Sequence, residues 1–188
     1  MTFGTIHTYP QNPRAAKAAI AAQYVGVELS IPQFAMGTAN KTPEFLAKFP
    51  TGQVPAFEND KVNLFESNAI AYYVASQGEA KLLGASKEQT AEVLQWLFFT
   101  TNRVDGPLIQ WLMPIFGYAP YNKATYTKAV QDTKGALELL NNVLLRKTYL
   151  VGESITLADI VLGASLVAGF TTVLAPEHIQ TYKNLLRY

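Results

Sequence analysis

The residues with the most chemistry in reach lie in one short stretch, Phe49–Ser67, which reads FPTGQVPAFENDKVNLFES. A Val54-Pro55 bond sits there between two turn signals, and a Glu66-Ser67 pair stands where a helix is about to open. A helix N-terminus points unpaired amides outward and favours negative charge, so those amides and the Ser67 hydroxyl suit a carboxylate. Glu66 beside them suits an ammonium, and an α-amino acid end group carries both charges. Lys41 is placed to take a second carboxylate at the far end, and Gln53 to bridge to backbone groups. The plainer reading of the same residues is a capping serine with an acidic neighbour and a solvated loop lysine. The functional reading uses the same physics and describes a small site for an extended peptide with free carboxylates and an amine.

Other chemistry is thinly represented. The 188 residues include no cysteine, which removes disulfides, thiolate metal ligands and thiol redox reactions together. His7 and His178 are the only histidines, and no acidic cluster at ligand spacing accompanies either, so both read as structural or solvated. The net charge is +1 without a Lys/Arg run, which argues against direct nucleic-acid binding. No apolar run approaches the length of a membrane span. The N-terminus MTFGTIHTYP lacks a basic segment followed by an apolar one, so no secretory signal is expected and the cytoplasm is the default compartment. Trp96, Phe98, Phe99, Trp111 and Phe116 read as helical core, and any that proved exposed would mark a partner surface.

The elements that must position the site follow from local pattern. Gly4–Tyr9 reads as a strand, and Asn12 with Pro13 opens an Ala-rich helix that reaches about Tyr24 and stops at Gly26. Val27–Ile31 alternates like a strand, Pro32–Lys41 is loop, and Thr42-Pro43 opens a short helix to Lys48. Val54–Glu58 and Lys61–Phe65 form a hairpin around Asn59-Asp60, and Ser67 caps a helix to about Ser76. This order gives a four-stranded mixed sheet with flanking helices, a thioredoxin-like arrangement over residues 1–77. Residues 78–85 read as a linker, and 86–188 as an all-helical domain. There, Ser86 and Gln89 form a capping box, Gly106-Pro107 and Met113-Pro114 are expected to break helices, and Val130, Leu137, Leu140 and Leu144 mark a long helix ending near Arg146. Thr156 and Asp159 form a second box, and a last helix is expected from about Pro176. Its pattern runs to Tyr188 without a stop signal, so the chain is expected to be part of a longer one.

In a thioredoxin-like frame, Pro55 stands where a cis bond turns the preceding backbone toward a ligand, so a cis Val54-Pro55 bond is expected, with Val54 offering one rung of β-addition. The reactive group of such a fold sits at the junction Thr8–Arg14, and without cysteine an oxidoreductase is excluded. GQVPAFE, LFESNAI and the Thr156–Asp159 box resemble the glutathione transferase superfamily over essentially the whole chain. TPEFLAKFP, ESNAIAYYV and APYNKATY are more specific, and resemble the branch formed by the N-terminal domains of translation elongation factor 1 gamma subunits.

The superfamily resemblance implies that Lys41, Gln53, Val54, Pro55, Glu66 and Ser67 form a glutathione-type site, with Asn40 standing where a histidine is common. It also implies where the sulfur would be activated. Anchored on Pro10, Thr8 falls at the place of an activating tyrosine and Asn12 near that of an activating serine. Tyr9 should face away by strand alternation. Neither Thr8 nor Asn12 is the expected group, so glutathione is a possible ligand while thiolate chemistry is not expected to be efficient. The branch implies a non-catalytic scaffold that anchors the nucleotide-exchange subunit of the elongation factor complex, which recharges the GTPase carrying aminoacyl-tRNA. It also implies a homodimer, contacts with aminoacyl-tRNA synthetases and no required cofactor. The alternatives are an active or weakly active glutathione transferase, or a transferase-like appendage of a synthetase.

Overall fold

A computed structural model describes residues 2–174 and 180–188, and the chain divides into two units, Met1–Leu83 and Gly84–Tyr188. The division falls within the expected linker, where Leu82 is buried.

In the first unit, β1 (Gly4–His7) is followed by α1 (Pro13–Val25), β2 (Leu29–Ser30), a 3-10 turn (Ala39–Lys41) and α2 (Pro43–Lys48). Then come β3 (Ala56–Glu58), β4 (Asn63–Leu64) and α3 (Ser67–Ala75). The sheet order is β2-β1-β3-β4, with β1 parallel to β2 and antiparallel to β3, and β3 antiparallel to β4. This is the expected mixed sheet, built from shorter strands. β3 starts two residues later than expected because Pro55 precedes it and has no N–H for the ladder; the Val54-Pro55 bond is cis, as expected. β4 is trimmed because the Asn59 side chain accepts the amides of Lys61 (3.0 Å) and Val62 (2.9 Å), drawing both into the turn. β1 ends at His7 instead of Tyr9, so Tyr9 is outside the strand.

The helix ends follow local chemistry. Asn12 caps α1 by accepting the Arg14 amide at 3.0 Å, with Pro13 in the first turn. Gly26 closes it at φ 71, where its amide reaches the Ala22 carbonyl. Ala15, Ala18, Ala21 and Ala22 are buried on α1 and meet the buried face of α3, formed by Ile70, Ala71, Val74 and Ala75. Small side chains let the two helices approach closely.

The second unit is helical: α4 (Lys87–Phe99), α5 (Gly106–Ile115), α6 (Lys123–Val143), α7 (Leu157–Thr172) and α8 (Lys183–Arg187). Gly106-Pro107 does not break the chain's helical path. A π-helical segment, Thr100–Asp105, joins α4 to α5, with the Gly106 amide reaching five residues back to the Thr101 carbonyl. The widened turn places Pro107 in the first turn of α5, where a missing N–H is tolerated. Pro114 lies within α5, which ends one residue later. α6 stops at Val143, earlier than expected, and its buried face is Ala129, Thr133, Ala136, Leu137 and Leu140, with Val130 only half-buried. Ser86 accepts the Gln89 amide, but the Gln89 side chain takes the Ala85 amide (2.7 Å), one residue before the position of a reciprocal box.

The Thr156–Asp159 box is complete. Asp159 is buried and accepts from the Leu150 amide (2.8 Å), the Thr156 amide (2.6 Å), the Thr156 hydroxyl (2.8 Å) and the Tyr188 hydroxyl (2.8 Å). Burial and the Asp159 carboxylate push the Tyr188 phenol well above its ordinary pKa. The expected helix start near Pro176, and His178, lie outside the described residues. No helix of the described residues is long and apolar enough to cross a membrane.

Candidate functional site

Strand register brings the candidate residues to one end of the sheet. β1 pairs with β3 through Thr5–Glu58, Ile6–Phe57 and His7–Ala56, so one further step sets Thr8 level with Pro55. β3 pairs with β4 through Phe57–Leu64 and Glu58–Asn63, and two residues past β4 the chain turns at Glu66 (φ 72) into α3. The N-termini of α1 and α3 follow directly from β1 and β4. The C-terminal ends of β1 and β4 and the start of β3 therefore lie at the same end of the sheet.

The loop carrying Lys41 is tied to this edge by Asn40, which is 1% exposed. Its side chain accepts the Gly37 amide (2.7 Å) and donates to the Gly52 carbonyl (2.7 Å). Gly52 adopts φ 59, and a Cβ there would stand 3.0 Å from Leu46 Cδ2 and 3.1 Å from the Asn40 carbonyl, so a larger residue is disfavoured twice. Lys41 Nζ lies 3.6 Å from that same Cβ position, which places the ammonium beside Gly52 and next to Gln53. Gln53 is exposed, while Val54 and Pro55 are buried.

Ser67 does not cap α3. It is the first helical residue, and Glu66 occupies the cap position at φ 72 and ψ 108 with no side-chain hydrogen bond to the helix. The first intrahelical bond runs from the Ile70 amide to the Glu66 carbonyl (3.0 Å), so the amides before Ile70 are the unpaired donors of the first turn. No acidic residue occupies that turn. Glu66 is exposed and Ser67 half-buried. This donor set, amides and a hydroxyl with a carboxylate beside them and an ammonium at the far edge, fits a peptide carrying one amine and two carboxylates.

The candidates for sulfur activation are turned toward each other. Thr8 is 6% exposed and Asn12 is 4% exposed. Asn12 Nδ2 donates to Thr8 Oγ1 at 3.0 Å, and the Thr8 hydroxyl donates to the Tyr9 carbonyl at 3.3 Å. Asn12 Oδ1 is the helix cap described above. Tyr9 is 41% exposed, and the next two residues, Pro10 and Gln11, turn the chain, with Gln11 at φ 60.

His7 belongs to a neighbouring cluster. Its Nε2 is 2.9 Å from Glu58 Oε1, and its ring lies 5.6–6.1 Å from those of Phe34, Phe45 and Phe49. Lys48 pairs with the other Glu58 oxygen. The hydrogen bond from Lys48, then that from His7, holds the Glu58 carboxyl below its ordinary pKa. Among the described residues no group of three or more His, Asp or Glu is arranged to hold a metal.

Sequence reasoning weighed Asn40 only as a replacement for histidine and overlooked Lys17. Lys17 is 1% exposed on α1, and its Nζ donates to Asn68 Oδ1 at 3.2 Å. The available signal was a charged residue set among alanines on the face that packs. Of the aromatic residues, Trp111 is buried, Trp96 and Phe99 are half-buried, and Phe98 (64%) and Phe116 (49%) are exposed.

Residues 3–76 match the family model of the glutathione S-transferase N-terminal domain, and residues 106–188 match that of its C-terminal domain. Over its whole length the chain is 43% identical to elongation factor 1-gamma of Rattus norvegicus and 42% to that of Homo sapiens. It is 45% identical to elongation factor 1-gamma-A of Xenopus laevis. In each case the chain spans 44% of the relative's length. Among solved structures it is similar to a delta-class glutathione transferase of Nilaparvata lugens, with a TM-score of 0.85 and 26% identity over 98% of this chain and 85% of that one. It is also similar to a glutathione S-transferase-I bound with lactoylglutathione, with a TM-score of 0.82 and 26% identity over 97% of this chain and 90% of that one.

Proposed function

Because the chain belongs to the glutathione transferase superfamily, matching both of its domain models, we propose that it is the transferase-like domain of an elongation factor 1 gamma subunit and works as a scaffold. The observation that carries this reading is the likeness to elongation factor 1-gamma along the whole chain, at 42–45% identity. On this reading the domain anchors the nucleotide-exchange subunit of the complex in the cytoplasm, forms a homodimer, and offers further contacts to aminoacyl-tRNA synthetases. Exposed Phe98 and Phe116 are apolar surface suited to such contacts.

A second reading, a weak glutathione transferase, is favoured by Lys41 lying beside Gly52 and Gln53 just before Val54-Pro55, and by the unpaired first-turn amides of α3 at Glu66-Ser67. Glutathione would be held there by its charged ends. Activation is a separate requirement, because stabilising the thiolate takes a hydrogen bond directed at the sulfur. Thr8 and Asn12 spend their hydrogen bonds on each other, on Tyr9 and on the cap of α1. This geometry favours binding without efficient turnover.

The test has two arms. Capture of a purified exchange subunit by this chain supports the scaffold, and failure of the two to associate overturns it. Glutathione titration followed by a chromogenic conjugation assay addresses the second reading. Turnover that is lost on Thr8→Val or Asn12→Ala would show that the domain is an enzyme.

A further inference from the structure

We propose that Thr148 is a phosphorylation site for a kinase that reads basic residues, and that Arg187 receives the phosphate, fastening α8 to the end of α6. The inference stands apart from the scaffold and glutathione readings, since it uses none of the residues named for either.

The segment between α6 and α7 supplies the acceptor. α6 ends at Val143, and Leu145, Arg146, Lys147 and Thr148 are exposed in succession, outside any helix or strand. Kinases select their substrates in part by the pattern of charge around the acceptor. Arg146 and Lys147 stand immediately before Thr148, and no acid occurs from Asn141 to Tyr149. Of the arginines in the sequence, only Arg146 has a hydroxyl residue two positions on. The plainer reading of such a run is a solvated basic loop, and a feature on a different element separates the two.

That feature is the placement of Arg187. α8 lies across the end of α6, where Asn141 Oδ1 accepts the amides of Asn184 (2.9 Å) and Leu185 (3.3 Å). In the last turn of α8, Arg187 Nη2 donates to the carbonyls of Leu144 (2.7 Å) and Lys147 (3.0 Å). The second carbonyl belongs to the peptide bond that joins Lys147 to Thr148, so the guanidinium sits beside the acceptor. A guanidinium carries five N–H donors in a fixed fork, and those of Nη1 and Nε are left over. Among the described residues Arg187 has no carboxylate partner. At pH 7 a phosphothreonine carries a charge of roughly −1.5 to −2 and three strong acceptor oxygens. Guanidinium and phosphate pair through parallel charge-assisted hydrogen bonds. A phosphate on Thr148 therefore meets a cation already held in place, with Arg146 and Lys147 adding to the local positive field.

The step transfers the γ-phosphoryl group of ATP. The bond between the γ-phosphorus and the oxygen that bridges it to ADP breaks, and Thr148 Oγ1 forms the new bond. The hydroxyl proton passes to the base of the kinase as ADP leaves. The product ties the loop after α6 to α8 more strongly than the carbonyl contacts do alone.

The test uses the 188-residue chain, MgATP and the catalytic subunit of cyclic-AMP-dependent protein kinase, which reads arginine upstream of its acceptor, with mass spectrometry to map the phosphate. Thr148 is expected to be labelled, with no label at that position in Thr148→Val. Labelling of Arg146→Ala should be about tenfold slower, the size of one lost charge-assisted contact. The phosphoprotein should melt about 3 °C above the unmodified chain, and phosphorylated Arg187→Gln should show no such rise over its own unmodified form. Phosphorus NMR gives a reading that needs no variant. The guanidinium should hold the second pKa of the phosphate below its ordinary value of about 6, and unfolding in urea should restore that value. No phosphate on Thr148 overturns the inference. So does a phosphothreonine that titrates alike in the folded and urea-unfolded chain, or a rise in Tm that survives Arg187→Gln.

Discussion

Whether this fold retains chemistry turns on one hydrogen-bonded pair, and a single substitution tests it. Asn12 Nδ2 donates to Thr8 Oγ1 at 3.0 Å, Thr8 donates to the Tyr9 carbonyl at 3.3 Å, and Asn12 Oδ1 caps α1. With those groups committed, a bound glutathione thiol should keep a pKa of about 8.5, leaving only a few per cent thiolate near pH 7. Asn12→Ser retains a hydroxyl acceptor for the Arg14 amide but is too short to hold Thr8. It leaves the Thr8 hydroxyl donating to the Tyr9 carbonyl and adds a new hydroxyl at the helix N-terminus whose proton can reach the sulfur. One hydrogen bond to a charged group contributes roughly 1.5–3 kcal/mol, and about 1.4 kcal/mol corresponds to one pKa unit. The bound thiol of Asn12→Ser should therefore titrate about 1–2 units lower than in the wild type. Ultraviolet absorbance of the thiolate against pH, with saturating ligand and free glutathione subtracted, reads both values. A wild-type thiol that already titrates below about pH 7 would refute the reasoning, as would an Asn12→Ser protein that binds normally and shows no shift.

Three further outcomes follow from the geometry. Asp159→Ala removes the acceptor of four hydrogen bonds and strands the buried amides of Leu150 and Thr156. At about 1–3 kcal/mol for each stranded group, a loss of roughly 3 kcal/mol and a fall in Tm on the order of 10 °C are expected, measured by circular dichroism. Asn40→Ala frees the Gly37 amide and leaves the Gly52 carbonyl without its side-chain donor. It should cost about 1–3 kcal/mol and loosen the loop carrying Lys41, read as faster hydrogen exchange at Gly37 and Lys41. The Glu58 carboxyl is held below its ordinary value of 4.5 by Lys48 and His7, so its stabilising contribution is complete above pH 4.5 and is lost as pH falls through its lowered pKa. The difference in Tm between wild type and Glu58→Gln should accordingly be widest above that pH and close on acidification.

Much of this molecule is written in short stretches of chain. Asn12-Pro13 with Gly26, Thr42-Pro43, and Thr156 with Asp159 mark helix ends at the residues where helices begin or stop. Asn59-Asp60 marks the hairpin, and the order of elements specifies a mixed four-stranded sheet. Those features are legible because caps, turns and periodicity depend on neighbours within a few residues. Where longer-range pairing decides, local reading errs by small amounts. Ser67 looks like a cap because serine favours that role, yet the chain entering from β4 puts Glu66 there. Gly106-Pro107 looks like a break, yet a π-helical segment absorbs it.

The sequence by itself determined the two-part architecture, the superfamily and the residue types available to a peptide-end site. Tertiary structure alone decided how they are used. The pairing of β1, β3 and β4 brings the ends of β1 and β4 and the start of β3 to one end of the sheet. Packing of α1 against α3 buries Lys17 against Asn68, and the start of α1 turns Asn12 onto Thr8. The physical reason is distance along the chain. A hydrogen bond between residues 51 positions apart, such as Lys17 to Asn68, leaves no periodic trace in either segment, and it exists only once the helices have closed over the sheet. Phe49–Ser67 carries the recognisable half of the proposed site, and its other half is read from what Thr8 and Asn12 touch.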